Sequence, residues 1–198
     1  MKSSEITGII LAGGLSSRMG TDKGLMELNG KPLIQHAIDF LDPFCDQLIL
    51  SSNSDDHRTF NFPVVNDEVN GAGPMGGIYS SLKSSITQMN IVLSCDIPLI
   101  NTKLIDFILK SNRLNIVTVP RHGNNLIEPL CACYNKAVLP VLKDFIDKKN
   151  FRMSDFLNAV DVHWLDISPD HKFYHQNLFF NINMPEDLVR ARVLIDKI

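Results

Sequence analysis

Residues 11–24 read L-A-G-G-L-S-S-R-M-G-T-D-K-G and follow directly on an apolar run, residues 6–12, that predicts a buried β-strand. The four glycines of this loop allow backbone N–H groups to turn inward and approach a ligand closely. Arg18 and Lys23 add positive charge beside those glycines. We therefore expect this loop to hold a nucleoside triphosphate at the end of the first strand.

The rest of the chain alternates short apolar runs with helical patterns. Strands are predicted at 6–12, 47–51, 63–65, 90–94, 115–119, 128–134 and 163–167. Helices are predicted from Pro32, over 75–83, after Asn101 as the N-cap, over 136–148 and from near Pro185. Because the strands are short apolar runs, they fit a sheet that is buried on both sides. We expect an α/β fold of the Rossmann-like type, with a mostly parallel mixed sheet and helices on both faces, in a single three-layer domain over residues 1–198.

The composition allows an enzyme and argues against two classes of partner. The chain has 198 residues, of which 44% are hydrophobic, and its net charge is −3. Proteins that bind nucleic acid or anionic membranes normally carry a basic surplus, so we expect neither partner. The first five residues are polar, and the apolar run behind them is far shorter than the roughly 20 residues that span a bilayer. A cytoplasmic location is therefore expected.

The four cysteines show no metal-binding or redox spacing. No C-x-x-C pair is present, and Cys131 and Cys133 stand two apart in a predicted strand, which places them on one face. We expect reduced structural thiols at all four positions.

Four loops are expected to meet at one edge of the sheet. Ligands of such open sheets bind outside the carboxyl ends of the strands. The loops that follow the predicted strands there are residues 13–24, 52–56, 66–77 and 95–98. Most of the chemically interesting side chains fall on these loops.

Asp96 follows the strand sequence I-V-L-S-C and precedes Ile97-Pro98, so it occupies a bend at the carboxyl end of a strand. A carboxylate in that place can bind Mg²⁺, which takes oxygen ligands and usually keeps waters and substrate phosphates. An aspartate there can equally cap a helix or shape a turn, and the residues alone leave both interpretations open.

The glycine-rich loop matches neither G-x-G-x-x-G nor G-x-x-x-x-G-K-[ST]. It has L-A-G-G-x-S-S-R-M-G-x-D-K, followed by G-K-P-L at residues 30–33. This pattern resembles the signature of the sugar- and cofactor-nucleotidyltransferases with a GT-A-like fold. The continuation N-G-K-P-L-I-Q-H is most similar to that of the molybdenum cofactor guanylyltransferases.

The resemblance assigns roles on the nucleotide side. It implies that the nucleotide is held by Leu11, Ala12, Gly13, Gly14, Lys23, Asp67 and Asp96, with backbone N–H groups of 12–14 on nucleotide oxygens. Arg18, Lys23 and Asp96 would be catalytic. The family motif C-D-x-P is matched by C-D-I-P at residues 95–98, which implies that Asp96 is a ligand of Mg²⁺, the expected cofactor. Asp67 precedes G-A-G-P-M-G-G, the counterpart of the family's G-P-x-x-G loop.

A second set of roles concerns the other substrate. F-N-I-N-M-P-E-D-L, residues 180–188, resembles the family's closing N-x-N-x-P-E-D-L segment, which implies that Asn181 and Asn183 face a pterin. Taken alone, Asn183 before Pro185 is also a good helix start. Arg152 is a further candidate for the pterin side, and Arg121 and His122 could also meet the phosphate or the pterin. Each of these three residue types is more often a solvated surface residue.

The reaction implied by the resemblance is transfer of GMP from GTP to the terminal phosphate of molybdenum-molybdopterin. Pyrophosphate would leave, and molybdopterin guanine dinucleotide would form. GTP and molybdenum-molybdopterin are the expected small-molecule partners. An accessory GTP-binding protein and molybdoenzyme chaperones are the protein partners that the resemblance suggests.

Three alternatives stay open. The chain could be a cytidylyltransferase for the same cofactor or a sugar-phosphate nucleotidyltransferase of similar fold. It could also be a nucleotide sensor without catalytic activity. The retained Arg18, Lys23 and Asp96 speak against a sensor, because a sensor has no leaving group to neutralise.

Overall fold

A computed structural model of the protein describes residues 5–13, 22–112 and 116–195. Its strands are β1 (Ile6–Leu11), β2 (Glu27–Leu28), β3 (Lys31–Pro32), β4 (Gln47–Ser51), β5 (Val64–Val65), β6 (Met89–Ser94), β7 (Val117–His122), β8 (Leu126–Ile127), β9 (Cys131–Asn135) and β10 (Val162–Ile167). Its α-helices are α1 (Leu33–Leu41), α2 (Gly73–Ser84), α3 (Thr102–Ser111), α4 (Leu139–Asp147), α5 (Met153–Asn158) and α6 (Pro185–Ile195). Short 3₁₀ helices cover Lys23–Leu25, Asp42–Phe44, Asp55–Phe60 and Lys136–Val138.

One large sheet runs through the molecule in the order β10-β7-β9-β6-β1-β4-β5, and β8 pairs with β7. The pairs β5–β4, β4–β1, β1–β6 and β7–β10 are parallel. Strand β9 runs antiparallel to both of its neighbours, β6 and β7. The mostly parallel mixed sheet is therefore confirmed, with β9 as the inserted strand of opposite direction.

Helices cover both faces of this sheet. One hydrophobic cluster joins the inner faces of α1, α3 and α6 to the sheet through buried residues such as Leu33, Leu104 and Ala191. The other cluster joins α2, α4 and α5 to the opposite face through Ile78, Leu142 and Phe156, for example. Strands β1, β4 and β6 are buried along nearly their whole length, as expected for parallel strands with helices on both sides. The three-layer arrangement is confirmed.

The predicted elements are mostly present, with shifted ends. The strand predicted at 128–134 begins only at Cys131, and the helix predicted over 136–148 opens with a 3₁₀ turn. The small β2–β3 hairpin, β8 and α5 were not predicted. The hairpin turns at Asn29-Gly30, where both residues have positive φ, as a two-residue hairpin turn requires.

All four cysteines are free thiols, as expected, and Cys131 and Cys133 lie buried on one face of β9. Burial raises the pKa of both thiols far above its ordinary value, so they stay protonated and unreactive. In the part of the chain that the structure describes, no helix is both long and apolar enough to cross a membrane.

Residues 168–184 cross the carboxyl edge of the sheet in irregular conformation. Asn101, the predicted cap of α3, fixes this segment. Its side chain accepts from the Leu104 N–H at 3.1 Å and donates to the Phe173 carbonyl at 3.0 Å. The same amide therefore begins the helix and holds the covering segment.

Asn101→Ala removes both hydrogen bonds. We expect the free energy of unfolding to fall by about 1–2 kcal/mol, from the lost cap and the unpaired Phe173 carbonyl. Urea denaturation measures this change. Asn101→Asp, which keeps the capping acceptor and lacks the amide donor, is the matched control and should lose about half as much. Equal losses in the two variants would contradict the capping role.

Candidate active site

The strand register brings three loops together. Leu11, the last residue of β1, lies opposite Ser51 of β4 on one side and opposite Ser94 of β6 on the other. Three parallel strands thus end level with one another. The segments that follow them leave from the same edge of the sheet, as expected for a ligand site in this fold class.

Lys23 connects parts of the chain that are far apart in sequence. Its Nζ lies 2.9 Å from Asp96 Oδ2, and Asn183 Oδ1 accepts from the same ammonium at 3.4 Å. The glycine-rich loop, the end of β6 and the C-terminal asparagine segment therefore meet at one charged group. Lys23, Asp96 and Asn183 are all predicted site residues, and the structure brings them into direct contact.

Asp96 is held on three sides. Its Oδ1 accepts from the Ser94 hydroxyl at 2.6 Å, and its carbonyl accepts from the Ile182 N–H at 2.8 Å. The side chain is 18% exposed, so the carboxylate reaches solvent although its position is fixed. Asn181 is exposed directly before Ile182, which places it at the rim of the same edge.

A second carboxylate, Glu128, lies three residues before β9. The Ser94 N–H donates to the Leu130 carbonyl at 2.8 Å, and residues 128–131 form a turn, in which the Cys131 N–H donates to the Glu128 carbonyl at 3.1 Å. Burial raises the pKa of Glu128, the His122 ring bonded to its Oε1 at 2.8 Å lowers it, and the charge of Asp96 raises it further. The His122 ring also stacks on Phe179, with 4.5 Å between centroids.

The start of the glycine-rich loop differs from the expected phosphate cradle. The N–H groups of Ala12 and Gly13 both donate to the Ser51 carbonyl, each at 3.0 Å. Both N–H groups therefore have a protein acceptor in the structure, and a nucleotide oxygen would compete with the Ser51 carbonyl for them. Gly14 and Arg18, also assigned to the site from sequence, lie outside the described residues.

Asp67 lies beside the same loops but does not contact Lys23. Its backbone N–H donates to Asn53 Oδ1 at 2.9 Å, which ties the loop after β5 to the loop after β4. Burial raises the pKa of the Asp67 carboxyl, and a hydrogen bond from Asn53 partly offsets that increase. Gly77 of α2 allows the close approach, since a Cβ there would lie 2.6 Å from Ser51 Oγ and 3.5 Å from Asp67 Oδ1.

Arg152 and Arg121 are not brought to the Lys23–Asp96 contact. Arg152 is exposed at the start of α5, on the face of the sheet covered by α2 and α4, and no hydrogen bond or ion pair joins its side chain to another described residue. Arg121 is paired with Asp166 through two bonds of 2.7 and 3.0 Å. Before α6, Asp187 Oδ2 accepts the N–H groups of Asn183 and Met184 and so holds the turn that leads into this helix.

Sequence reasoning missed a row of three contacting polar side chains next to the turn that carries Lys23. Asp22, Ser52 and His57 form it: His57 Nδ1 lies 2.6 Å from Ser52 Oγ, and Asp22 Oδ2 lies 3.1 Å from His57 Nε2. Asp22 stands beside Lys23 in the quoted motif, so its place near the site could be predicted from the sequence. No spacing rule pointed to His57, because it follows the end of β4 by six residues and lies in the short 3₁₀ helix Asp55–Phe60.

The oxygen atoms at this edge suit a hard divalent cation that brings its own further ligands. Within residues 5–13, 22–112 and 116–195, no group of three or more metal-binding side chains is present. Asp96 offers a fixed, solvent-accessible carboxylate instead. A magnesium ion needs only one or two protein carboxylates when phosphates and waters complete its coordination, so Asp96 fits such an ion.

Residues 8–162 match the sequence model of the MobA-like NTP transferase domain. A probable molybdenum cofactor guanylyltransferase from Flavobacterium johnsoniae is 34% identical over 92% of this chain and 94% of its own length. The molybdenum cofactor guanylyltransferase from Vibrio campbellii is 32% identical over 96% of each chain.

The fold is similar to that of solved structures. The molybdopterin-guanine dinucleotide biosynthesis protein A from Archaeoglobus fulgidus superimposes with a TM-score of 0.82, covering 97% of this chain and 100% of the other. Since the two sequences are 24% identical, this likeness concerns the fold.

Asp67→Asn tests the cost of the half-buried carboxylate. Since the folded-state pKa of Asp67 lies above its ordinary value of 3.8, the native state binds the proton more tightly than the unfolded chain. Native stability from this group is therefore present at low pH and lost as pH rises through the raised pKa. Asn carries no charge, so the Tm of the variant relative to wild type should increase from about pH 4 to about pH 8.

Differential scanning fluorimetry across that range measures the Tm difference. Asp56→Asn, at an exposed position of the neighbouring loop, is the control and should show no such trend. A Tm difference for Asp67→Asn that stays constant or shrinks as pH rises would refute the desolvation argument.

Proposed function

This chain belongs to the MobA-like NTP transferase family, and we propose that it transfers GMP from GTP to the terminal phosphate of molybdenum-molybdopterin. A phosphate oxygen of the pterin forms a bond to the α-phosphorus, and the bond from that phosphorus to the bridging oxygen breaks. Pyrophosphate leaves with the electron pair, and molybdopterin guanine dinucleotide is the product. The observation that carries the proposal is the meeting of Lys23, Asp96 and Asn183 at one edge.

Such a transfer needs positioning and charge neutralisation more than proton transfer, because the attacking phosphate is already an anion. Lys23 supplies a cation at the mouth of the site. Without substrate its charge is balanced by Asp96 at 2.9 Å. A triphosphate would compete for the ammonium, and Lys23 would then stabilise the charge that builds up on the departing pyrophosphate. Arg18 is proposed to share this role.

Asp96 is the proposed ligand of Mg²⁺. When bound, the ion neutralises phosphate charge around the α-phosphorus. The Ser94 hydroxyl and the Ile182 N–H hold the Asp96 carboxylate and its backbone in place, so the ligand is preorganised. This arrangement also ties the carboxylate to the C-terminal segment that carries the asparagines.

The nucleotide is proposed to lie against residues 11–14 and Asp67. The backbone N–H groups of Ala12 and Gly13, which donate to the Ser51 carbonyl in the structure, and that of Gly14 are the proposed donors to the nucleotide oxygens and, in part, to the base. Asp67, which lies close to Gly77 of α2, is proposed to accept a hydrogen bond from a sugar hydroxyl.

The pterin is proposed to bind on the side of Asn181 and Asn183, next to Lys23. Arg152 remains a proposed pterin contact, although the structure places it apart from this cluster. The whole chain, residues 1–198, is proposed to act as one nucleotidyltransferase domain in the cytoplasm. A small GTP-binding protein and molybdoenzyme chaperones are its proposed protein partners.

Magnesium-dependent pyrophosphate release separates the alternatives. We expect release with GTP and molybdopterin together, and much less with CTP or without the pterin. Preference for CTP would favour a cytidylyltransferase. Release that requires a sugar phosphate would indicate the sugar branch of this fold, and no release under any of these conditions would overturn the proposal in favour of a nucleotide sensor.

Lys23→Ala and Asp96→Ala should each lower the turnover number by about 100-fold or more, because each removes charge stabilisation at the reacting phosphates. Steady-state pyrophosphate release measures the change. Lys83→Ala is the matched control, since Lys83 is an exposed lysine of α2 that forms an ion pair with Glu68. It should keep wild-type turnover. Near-normal turnover in either site variant, with its Tm retained, would contradict the assigned role.

A further inference from the structure

His57 is a fully buried histidine whose two ring nitrogens both face polar groups. It lies in the 3₁₀ helix Asp55–Phe60 and is 0% exposed. Its Nδ1 is 2.6 Å from Ser52 Oγ in the loop after β4, and its Nε2 is 3.1 Å from Asp22 Oδ2 in the glycine-rich loop. The imidazole therefore connects two loops of the candidate site from within the protein.

The proton positions along this chain follow from the donors. The Ser54 N–H donates to Ser52 Oγ at 3.0 Å, so the Ser52 hydroxyl can give its own proton to Nδ1. Nε2 then carries the other ring proton and faces the Asp22 carboxylate. The Nε2–H is not aligned well enough for a hydrogen bond, so among the described residues its compensation is the negative charge of Asp22.

Asp22 transmits this contact to Lys23. While Oδ2 faces His57, Oδ1 accepts from the Gly24 N–H at 2.9 Å and caps the turn Lys23–Leu25. The residue between Asp22 and Gly24 is Lys23 itself. Fixing the Asp22 carboxylate therefore fixes the backbone on both sides of the catalytic lysine.

We propose that His57 is a positioning residue of the transfer reaction, which through Asp22 holds the turn that presents Lys23 to the triphosphate. This inference rests on the proposed function. It assigns a role to a side chain that is far in sequence from the quoted motifs. It also explains why a polar ring is buried between two loops, where an apolar side chain would avoid the cost of desolvation.

The Asp22–His57–Ser52 order resembles a hydrolytic triad, but burial excludes that chemistry. Ser52 is 1% exposed and His57 is 0% exposed, so no substrate carbonyl can reach the hydroxyl. Ser52 Oγ also already accepts a backbone hydrogen bond. A nucleophilic serine has to present its oxygen in an open cleft, whereas this one lies within the protein.

Two substitutions test the contacts of the two ring nitrogens separately. Asn at position 57 can keep a contact with Ser52 but is too short to reach Asp22. Gln can place an amide N–H near the former position of Nε2. We expect His57→Asn to lower kcat for pyrophosphate release by about 10- to 100-fold, because a small misplacement of a catalytic group costs that much. KM for GTP should change less than kcat. His57→Gln should restore most of the activity.

A destabilised fold could also lower activity, so a matched control is needed. Ile146→Ala in α4 opens a cavity in the cluster on the opposite helical layer from the 3₁₀ turn of Lys23. It should lower the Tm at least as much as His57→Asn and keep wild-type kcat. Wild-type kcat in His57→Asn, or a loss in His57→Gln equal to that in His57→Asn, would overturn the positioning role.

Hydrogen exchange of the Gly24 amide gives a readout independent of activity. This N–H is bonded to Asp22 Oδ1, so it should exchange faster in His57→Asn and at the wild-type rate in His57→Gln. If the wild-type protein releases no pyrophosphate from GTP, the proposed function fails, and this exchange experiment still tests the link from His57 to Lys23. Unchanged Gly24 exchange in His57→Asn would refute that link.

Discussion

Strand β1 lies between two parallel partners and ends level with both, and the site depends on this register. Leu11 faces Ser51 on one side and Ser94 on the other. A slip by two residues along either partner would move Asp96 or the loop after β4 by about 6.6 Å. Lys23 could then no longer contact Asp96 at 2.9 Å. The register is maintained by burial, since a one-residue slip would turn the apolar side chains of β1 to the wrong face.

The end of β1 is closed by a contact that also limits what the glycine-rich loop can do. The Ser51 carbonyl accepts from Ala12 and Gly13 together, so the chain bends across the end of β4 at these two residues. A phosphate cradle of the common kinds would leave such N–H groups pointing at the ligand. In this chain these N–H groups stabilise the bend. Among the residues that the structure describes, the loop's positive charge at the site comes from Lys23, further along the chain.

The sheet and the meeting of the motifs could be predicted because they follow from local signals. Apolar runs mark β1, β4 and β6, and the rule for parallel strands places Asp96 and Lys23 at one edge. The hairpin at Asn29-Gly30 carries a readable turn signal, because Asn-Gly is a favoured two-residue hairpin loop. Helix α5 could not be found this way, because six residues give too short a period to recognise.

Side-chain contacts behind the site were beyond sequence reasoning for a different reason. His57, Ser52 and Asp22 come together only because β4 lies beside β1, and nothing in the sequence spacing indicates which loop residue turns inward. The same holds for Glu128, whose closeness to the charge of Asp96 depends on β9 lying antiparallel beside β6. Tertiary pairing decides these neighbours, while composition decides only that such residues are available.

Charge balance explains how a chain with net charge −3 can present a cation to a polyanionic substrate. In the structure, Lys23 is held between Asp96 and Asn183, and Asp22 fixes its backbone. The ammonium is thus partly neutralised and kept in one position before any phosphate arrives. A free lysine on a mobile loop would lose more side-chain entropy when it binds phosphate. The Asp96 contact already holds Lys23 in place, so phosphate binding replaces one partner of an ordered lysine by another.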